Sequence, residues 1–212
     1  MRIQVFARAP RPGETKTRLI PALGPAGAAL LHERLIHRTL ETARSAAPAE
    51  VELWCTPDMS DDFFTECARR YNVRLRLQAG GDLGARMHGA LNDARGAGTH
   101  AVLAGTDCPA LTADHLRRAM TWLDAGADLV LGPAEDGGYV LIGAGRAEAE
   151  LFRDMPWGTD RVFVETCKRA EDLGLDVRCL EVLPDLDRPE DLDLERFPDL
   201  ADPPRKPRGQ SR

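Results

Sequence analysis

Asp107 follows the apolar run Ala101-Val102-Leu103-Ala104, separated from it by Gly105 and Thr106. Such a run reads as a buried strand. A carboxylate just past the carboxyl end of a strand in an open α/β sheet opens onto the crevice where ligands bind. A lone carboxylate there suits Mg²⁺ (or Mn²⁺), which takes one or two protein oxygens and fills its shell with water and phosphate oxygens. The competing expectation is that Asp107 only caps a turn or the next helix, a task for which Thr112 is also suited. The matching phosphate site is the segment Phe6 to Leu19, FARAPRPGETKTRL, in which Arg8, Arg11, Lys16 and Arg18 surround a single Glu14. Its cations and Gly13 suit a loop that wraps polyphosphate, with Lys16 as a point charge and Arg18 as a planar fork. It is not a Walker A loop, which needs glycines where Pro10 and Thr15 stand.

Three further segments carry candidate chemistry. In QAGGDLGARM, residues 78–87, Gly80 and Gly81 would let backbone approach a base or ribose, beside Asp82, while Arg86 reaches a phosphate. The same residues imitate a dinucleotide fingerprint, Ala79-x-Gly81-x-x-Gly84, which keeps an NAD-dependent dehydrogenase as a distant alternative; a plain turn is the other. In Asp136-Gly137-Gly138-Tyr139, paired glycines permit close backbone approach, so that Gly137 and Gly138 face a ligand and Glu135 or Asp136 orients an acceptor hydroxyl or phosphate; a hairpin turn explains the same residues. In Pro184-Asp185-Leu186-Asp187-Arg188-Pro189-Glu190-Asp191, Asp187 and Glu190 have capping-box spacing, and a carboxylate brought beside Asp107 would complete a metal site.

The elements that must position these groups alternate between short apolar bursts and helical patterns, the mark of βαβ units and a mostly parallel sheet. Strands are expected at 2–7, 51–55, 73–77, 101–104, 129–131, 139–142 and near 177–182. A helix over 25–46 starts on Pro25 and buries Leu31, Leu35, Thr39 and Ala43. Ser60 is expected to cap a helix that turns Phe63, Cys67 and Tyr71 inward. The next helix starts near Asp82 with Leu83, Met87, Leu91 and Ala94 inside. A helix from Thr112 to Leu123 buries Leu116, Met120 and Leu123, and another spans about 159–172. The turn at 136–138 marks a change of strand direction.

The 212 residues carry a net charge of −6, which argues against nucleic acid or an anionic membrane as partner. The pattern is that of one domain over 1–197 followed by a disordered, basic, Pro-rich tail over 198–212. Cys55, Cys67, Cys108, Cys167 and Cys179 show neither CxxC nor His-spaced pairing and read as reduced core thiols of a cytoplasmic protein. No apolar run approaches the roughly 18 residues of a membrane span.

With those segments in hand, the chain resembles the GT-A nucleotide-diphosphosugar transferase superfamily, and more closely the bacterial radical-SAM/selenodomain-associated transferases, a group named as glycosyltransferases. PRPGETKTRL, GGDLGARM, GTDCPAL, EDGGYVLIG, Trp157-Gly158-Thr159 and DLDRPEDL carry the likeness, in order, from residue 1 to about 195. It implies a Rossmann-like GT-A fold of the α/β class: a mostly parallel mixed sheet flanked by helices on both faces. It also implies a nucleotide held by the first loop and a divalent ion held by Asp107, with Asp187 (or Asp185) as second carboxylate. Gly105-Thr106-Asp107 departs from the aspartate-x-aspartate pattern of GT-A glycosyltransferases. With KTRL it is closer to the nucleotidyltransferase branch, including guanylyltransferases of small phosphorylated acids. The expectation is a Mg²⁺-dependent transferase with Lys16, Asp107 and Asp136 at the chemistry. Its donor would be a nucleotide-diphosphosugar and its acceptor a small molecule. Nucleotidyl transfer from an NTP, or a nucleotide-binding module without activity, are the alternatives.

Overall fold

A computed structural model describes residues 1–46, 49–192, 197 and 200. Of the tail expected to be disordered over 198–212, Leu200 is instead buried beside Phe197 against the helix that carries Leu31 and Leu35, and the rest lies outside the described residues. Seven strands form one sheet: β1 (Arg2–Arg8), β2 (Glu50–Thr56), β3 (Arg74–Leu77), β4 (Ala101–Ala104), β5 (Leu129–Pro133), β6 (Tyr139–Ala144) and β7 (Val177–Cys179). Their order across the sheet is β3-β2-β1-β4-β6-β5-β7. All pairings are parallel except the two made by β6, so the chain does reverse at the 136–138 turn. Among the described residues the α-helices are α1 (Ile20–Ser45), α2 (Asp62–Tyr71), α3 (Leu83–Gly96), α4 (Ala113–Asp124) and α5 (Val162–Asp172).

Both faces of the sheet are covered, which is why its central strands are apolar nearly throughout. Along β1 and β4, Ile3, Val5, Ala7, Val102 and Ala104 join side chains of α1, α2 and α4, while Phe6, Ala101 and Leu103 join those of α3 and α5. Gln4, fully buried on the second face, donates to the Ala90 carbonyl at 2.7 Å, which removes the cost of hiding its amide donor. Among the described residues no helix is long and apolar enough to cross a membrane.

Within α1, Gly24 adopts φ 69° and breaks the helical path, so the continuous helix begins at Pro25 as expected. Leu31, Leu35, Thr39 and Ala43 are all buried. Three local expectations are corrected. Asp61, not Ser60, caps α2 by accepting from the Phe63 amide; the Ser60 hydroxyl donates to Asp58 instead. Phe64 takes the fully buried place expected of Phe63, which is half-buried, while Cys67 and Tyr71 are buried as expected. Leu83 is exposed on α3, whose buried residues are Gly84, Met87, Ala90, Leu91 and Ala94. Of the cysteines, Cys55, Cys67 and Cys108 are core, but Cys167 is half-buried and Cys179 exposed on the edge strand. Burial pushes the Cys108 thiol up to about 11, in keeping with a spacer and not a nucleophile.

Candidate active site

β1 has β2 on one side and β4 on the other, so successive crossovers leave it in opposite directions. The loops leaving the carboxyl ends of such a pair cannot close over one another and frame a crevice. Here those loops are the basic segment after β1 and Gly105–Asp107 after β4. The crevice is a cleft of about 450 Å³ whose lining includes Arg8, Arg18, Gln78, Arg86, Asp107 and Asp187.

The first loop lines the cleft with Arg8 and Arg18. Lys16 lies outside that lining but contacts Asp107 and Asp187, which belong to it. Its backbone is left-handed at φ 47° and leads straight into the 3₁₀ turn Thr17–Leu19. A lysine held in that region is conformationally disfavoured, a feature typical of sites where surrounding contacts over-determine the backbone. The Lys16 side chain is only 3% exposed; Nζ lies 2.8 Å from Asp107 Oδ1 and 3.6 Å from Asp187 Oδ1, and donates to the Leu186 carbonyl. Arg18 pairs with Asp187. Asp187 is brought here by the backbone: the Leu186 amide donates to the Asp107 carbonyl at 2.8 Å, tying the late acidic segment to the β4 loop. Capping in that segment falls to Asp191, which accepts from the Asp187 and Arg188 amides. The expected Asp187–Glu190 capping box is therefore absent, and both Asp187 oxygens face cations. Thr112 caps α4, leaving the Asp107 carboxylate to Lys16.

Desolvation works to raise the Asp107 pKa, but the charge and hydrogen bond of the adjacent Lys16 ammonium, together with His32, hold the carboxyl below its ordinary range. Asp185, which also lines the cleft, is pushed up to about 6 by burial and then by the neighbouring Asp136. Arg8 donates to the Glu14 carbonyl and Arg86 to the Asp82 carbonyl; both line the cleft. Arg11 is diverted to Asp58 and Asp61.

The other expected contacts are distributed less simply. Gly13, with φ 83°, turns the first loop outside the cleft lining, as Gly81 lies outside it. Asp82 caps α3 by accepting from the Ala85 amide at 2.8 Å. Gly84 is needed for packing: a Cβ there would sit 2.7 Å from the Phe152 carbonyl and 2.8 Å from the Trp157 ring. That accounts for the fingerprint-like glycine without a dinucleotide. In the third segment, Asp136 and Gly138 line the cleft, and the Asp136 carboxylate accepts from the Gly138 amide at 2.8 Å. Gly137 instead faces protein, where a Cβ would meet the Asp160 carbonyl at 2.3 Å.

With this geometry in place, comparison with known proteins is informative. A profile described as "Uncharacterized protein conserved in bacteria (DUF2064)" matches residues 39–159, more than half of the chain. The chain belongs to this family. No curated protein matches the sequence. A solved structure from Desulfovibrio desulfuricans G20, provisionally designated a nucleotide-diphospho-sugar transferase, is similar at a TM-score of 0.82 and 29% identity, over 92% of this chain and 85% of that one. A Methanothermobacter nucleotidyl transferase shares the fold at 0.57 and 20% identity, covering 95% and 98%. So does Rv0371c of Mycobacterium tuberculosis H37Rv in complex with manganese, at 0.52 and 21% identity, covering 90% and 95%. The GT-A-like sheet expected from the sequence is thus the fold of this DUF2064 member.

Whether the site of this DUF2064 member fits a divalent metal can be tested on its own donors. Among the described residues no three ligating side chains gather closely enough to form a protein-only metal cage. Asp107 and Asp187 nevertheless converge on one cation, the Lys16 ammonium, and two carboxylate donors suffice for an ion that draws its remaining oxygens from phosphate and water. The donor set fits Mg²⁺ or Mn²⁺ bound together with a polyphosphate. Sequence reasoning missed two polar groups here. Gln78 is fixed by donating from Nε2 to the Ala7 and Trp54 carbonyls, which leaves its oxygen as the free acceptor. His32 of α1 is 5% exposed. Its Nε2 must donate to the Arg8 carbonyl, leaving Nδ1 buried without a partner among the described residues, and burial holds its pKa below the usual histidine range. In sequence His32 is one polar residue on an otherwise apolar helix face, indistinguishable from a satisfied core histidine.

Proposed function

We propose that this protein is a divalent-metal-dependent transferase that uses an activated nucleotide, with a nucleotide-diphosphosugar as donor and a small molecule as acceptor. The single observation that carries the reading is the convergence of Lys16 and Arg18, from the loop after β1, on Asp107 and Asp187, 91 or more residues away in sequence. Basic groups placed where phosphates would lie, beside carboxylates that would hold Mg²⁺, supply what phosphate-ester chemistry requires: positioning and neutralisation of charge on the leaving group. Arg8, Lys16, Arg18 and Arg86 bind phosphate oxygens, Asp107 with Asp187 holds the ion, and Asp136 orients the acceptor. When bound, the metal supplies electrophilic stabilisation of the departing diphosphate. Of the segment after β3, Gln78, Leu83 and Arg86 line the cleft, whereas Gly80, Gly81 and Asp82, expected against the base or ribose, lie outside that lining.

Nucleotidyl transfer from an NTP is the second reading. It is favoured by the four cations around one cleft, which match the larger charge of a triphosphate, and by the single aspartate of Gly105-Thr106-Asp107. Thermal shifts with nucleotide sugars and with NTPs, each with and without Mg²⁺, separate the two. Stabilisation by nucleotide sugars with Mg²⁺ supports the first, and stabilisation by NTPs alone supports the second. Stabilisation by neither class removes both. Asp107→Asn is expected to lower turnover by at least about a hundredfold while leaving the fold intact; a fully active variant would take Asp107 out of the metal role.

A further inference from the structure

Within the cleft, the groups assigned to phosphate and the groups assigned to metal are paired with one another. Lys16 Nζ contacts both Asp107 and Asp187, and Arg18 takes the second oxygen of Asp187. The Lys16 side chain is almost wholly buried, its ammonium also donates to the Leu186 carbonyl, and its backbone is held left-handed. Arg8 and Arg86 differ: they line the same cleft and have no carboxylate within ion-pair distance among the described residues. The cations nearest the metal carboxylates are therefore committed, while the outer ones are available to an arriving anion.

We propose that Lys16 is a tethered counter-ion holding the metal's place at Asp107 and Asp187, so that the cleft takes the metal–polyphosphate chelate as one ligand and binds either half alone weakly. The inference rests on the metal and phosphate roles proposed above. A free divalent ion approaching Asp107 must evict a buried ammonium, which is then left without an anion. A metal-free polyphosphate must draw Lys16 and Arg18 away from carboxylates, then lie beside those same negative charges. Each ligand supplies the partner that the other takes away. By linkage, each raises the affinity of the site for the other by the same factor.

The test lies in the sign of two substitution effects. A lysine that only bound phosphate would leave the affinity for metal alone unchanged. A tethered counter-ion predicts that Lys16→Met binds Mn²⁺ about tenfold tighter in the absence of nucleotide, a coupling of ordinary size, with Arg8→Met changing it far less. The mirror arm uses inorganic pyrophosphate in chelator, followed by calorimetry. Asp107→Asn is expected to bind it about tenfold tighter, whereas Asp136→Asn, which removes the same charge without touching Lys16, gives a smaller gain. Free Mn²⁺ is read by its electron paramagnetic resonance signal, so neither arm depends on turnover. Should Lys16→Met fail to fold by circular dichroism, the second arm decides, since the Asp107 side chain is half exposed. If Asp107→Asn binds pyrophosphate no tighter than Asp136→Asn does, while wild type binds manganese pyrophosphate, the tethered counter-ion is wrong and the transferase reading stands. If wild type binds manganese pyrophosphate not at all, both fall.

Discussion

Replacing Gly137 with alanine is expected to destabilise the protein by about 3–6 kcal/mol, a sum of three local contributions. Gly137 sits at φ 85°, a left-handed conformation that disfavours a Cβ by roughly 1–2 kcal/mol. The new methyl would also lie 2.3, 2.5 and 2.6 Å from the carbonyl oxygen, Cα and carbonyl carbon of Asp160. These are backbone atoms that no rotamer change can move, and overpacking of this kind costs about 1–3 kcal/mol. Displacing the Asp160 segment also strains the bond from the Phe163 amide to the Gly137 carbonyl, 2.8 Å long, which fastens the start of α5 to the turn; its loss adds about 1 kcal/mol. Gly138→Ala is the control. Its Cβ meets only a side-chain oxygen, Asp136 Oδ1, at 3.0 Å, and the carboxylate can rotate away for less than about 1 kcal/mol. Urea unfolding measures both variants. The thermal midpoint of Gly137→Ala should fall by about 6–24 °C, at roughly 2–4 °C per kcal/mol for a domain of this size. Equal stability of the two variants, within about 1 kcal/mol, would refute the idea that this turn is wedged against the Trp157–Asp160 loop.

Two further outcomes follow from the first face of the sheet. His37 is 8% exposed, and burial followed by the nearby Arg70 depresses its pKa to about 4, against about 6.5 in the unfolded chain. Between those values the unfolded state binds the extra proton, so stability falls as pH drops from about 6.5 toward 4; at about pH 5 the loss is on the order of 2 kcal/mol. Urea titrations near neutrality and at about pH 5 should show that loss in wild type and a smaller one in His37→Phe. A pH dependence unchanged by the substitution would assign the acid sensitivity elsewhere. Asp61→Ala should destabilise by about 1 kcal/mol through loss of the α2 cap. Ser60→Ala should cost less than half of that, and the reverse ranking would restore Ser60 as the cap.

Much of the architecture was legible in the residue order because its signals are local. The apolar bursts at 101–104 and 139–142, Pro25 at the start of one helix, and Thr112 and Asp82 at the starts of two others each act within a few residues. So does the rule that loops at strand carboxyl ends carry function, which singled out Lys16 and Asp107. Errors began where one position's shift had to be resolved by packing: Asp61 in place of Ser60, Phe64 in place of Phe63, Leu83 exposed at the cleft. Composition likewise could not tell that Cys179 lies on an exposed edge strand while Cys55 lies in the core.

The composition of the site was thus set by the chain alone, and its wiring by the tertiary structure. That Lys16 would reach Asp107 depends on β1 and β4 being neighbours. That Asp187 would join them depends on the Leu186 amide finding the Asp107 carbonyl. Such pairings join segments about 80 or more residues apart, and no local propensity encodes them; they emerge only when strand order fixes which loops share an end of the sheet. For the same reason His32 was silent. Its chemistry comes from the Arg8 carbonyl that α1 is packed against, not from anything in its own helix.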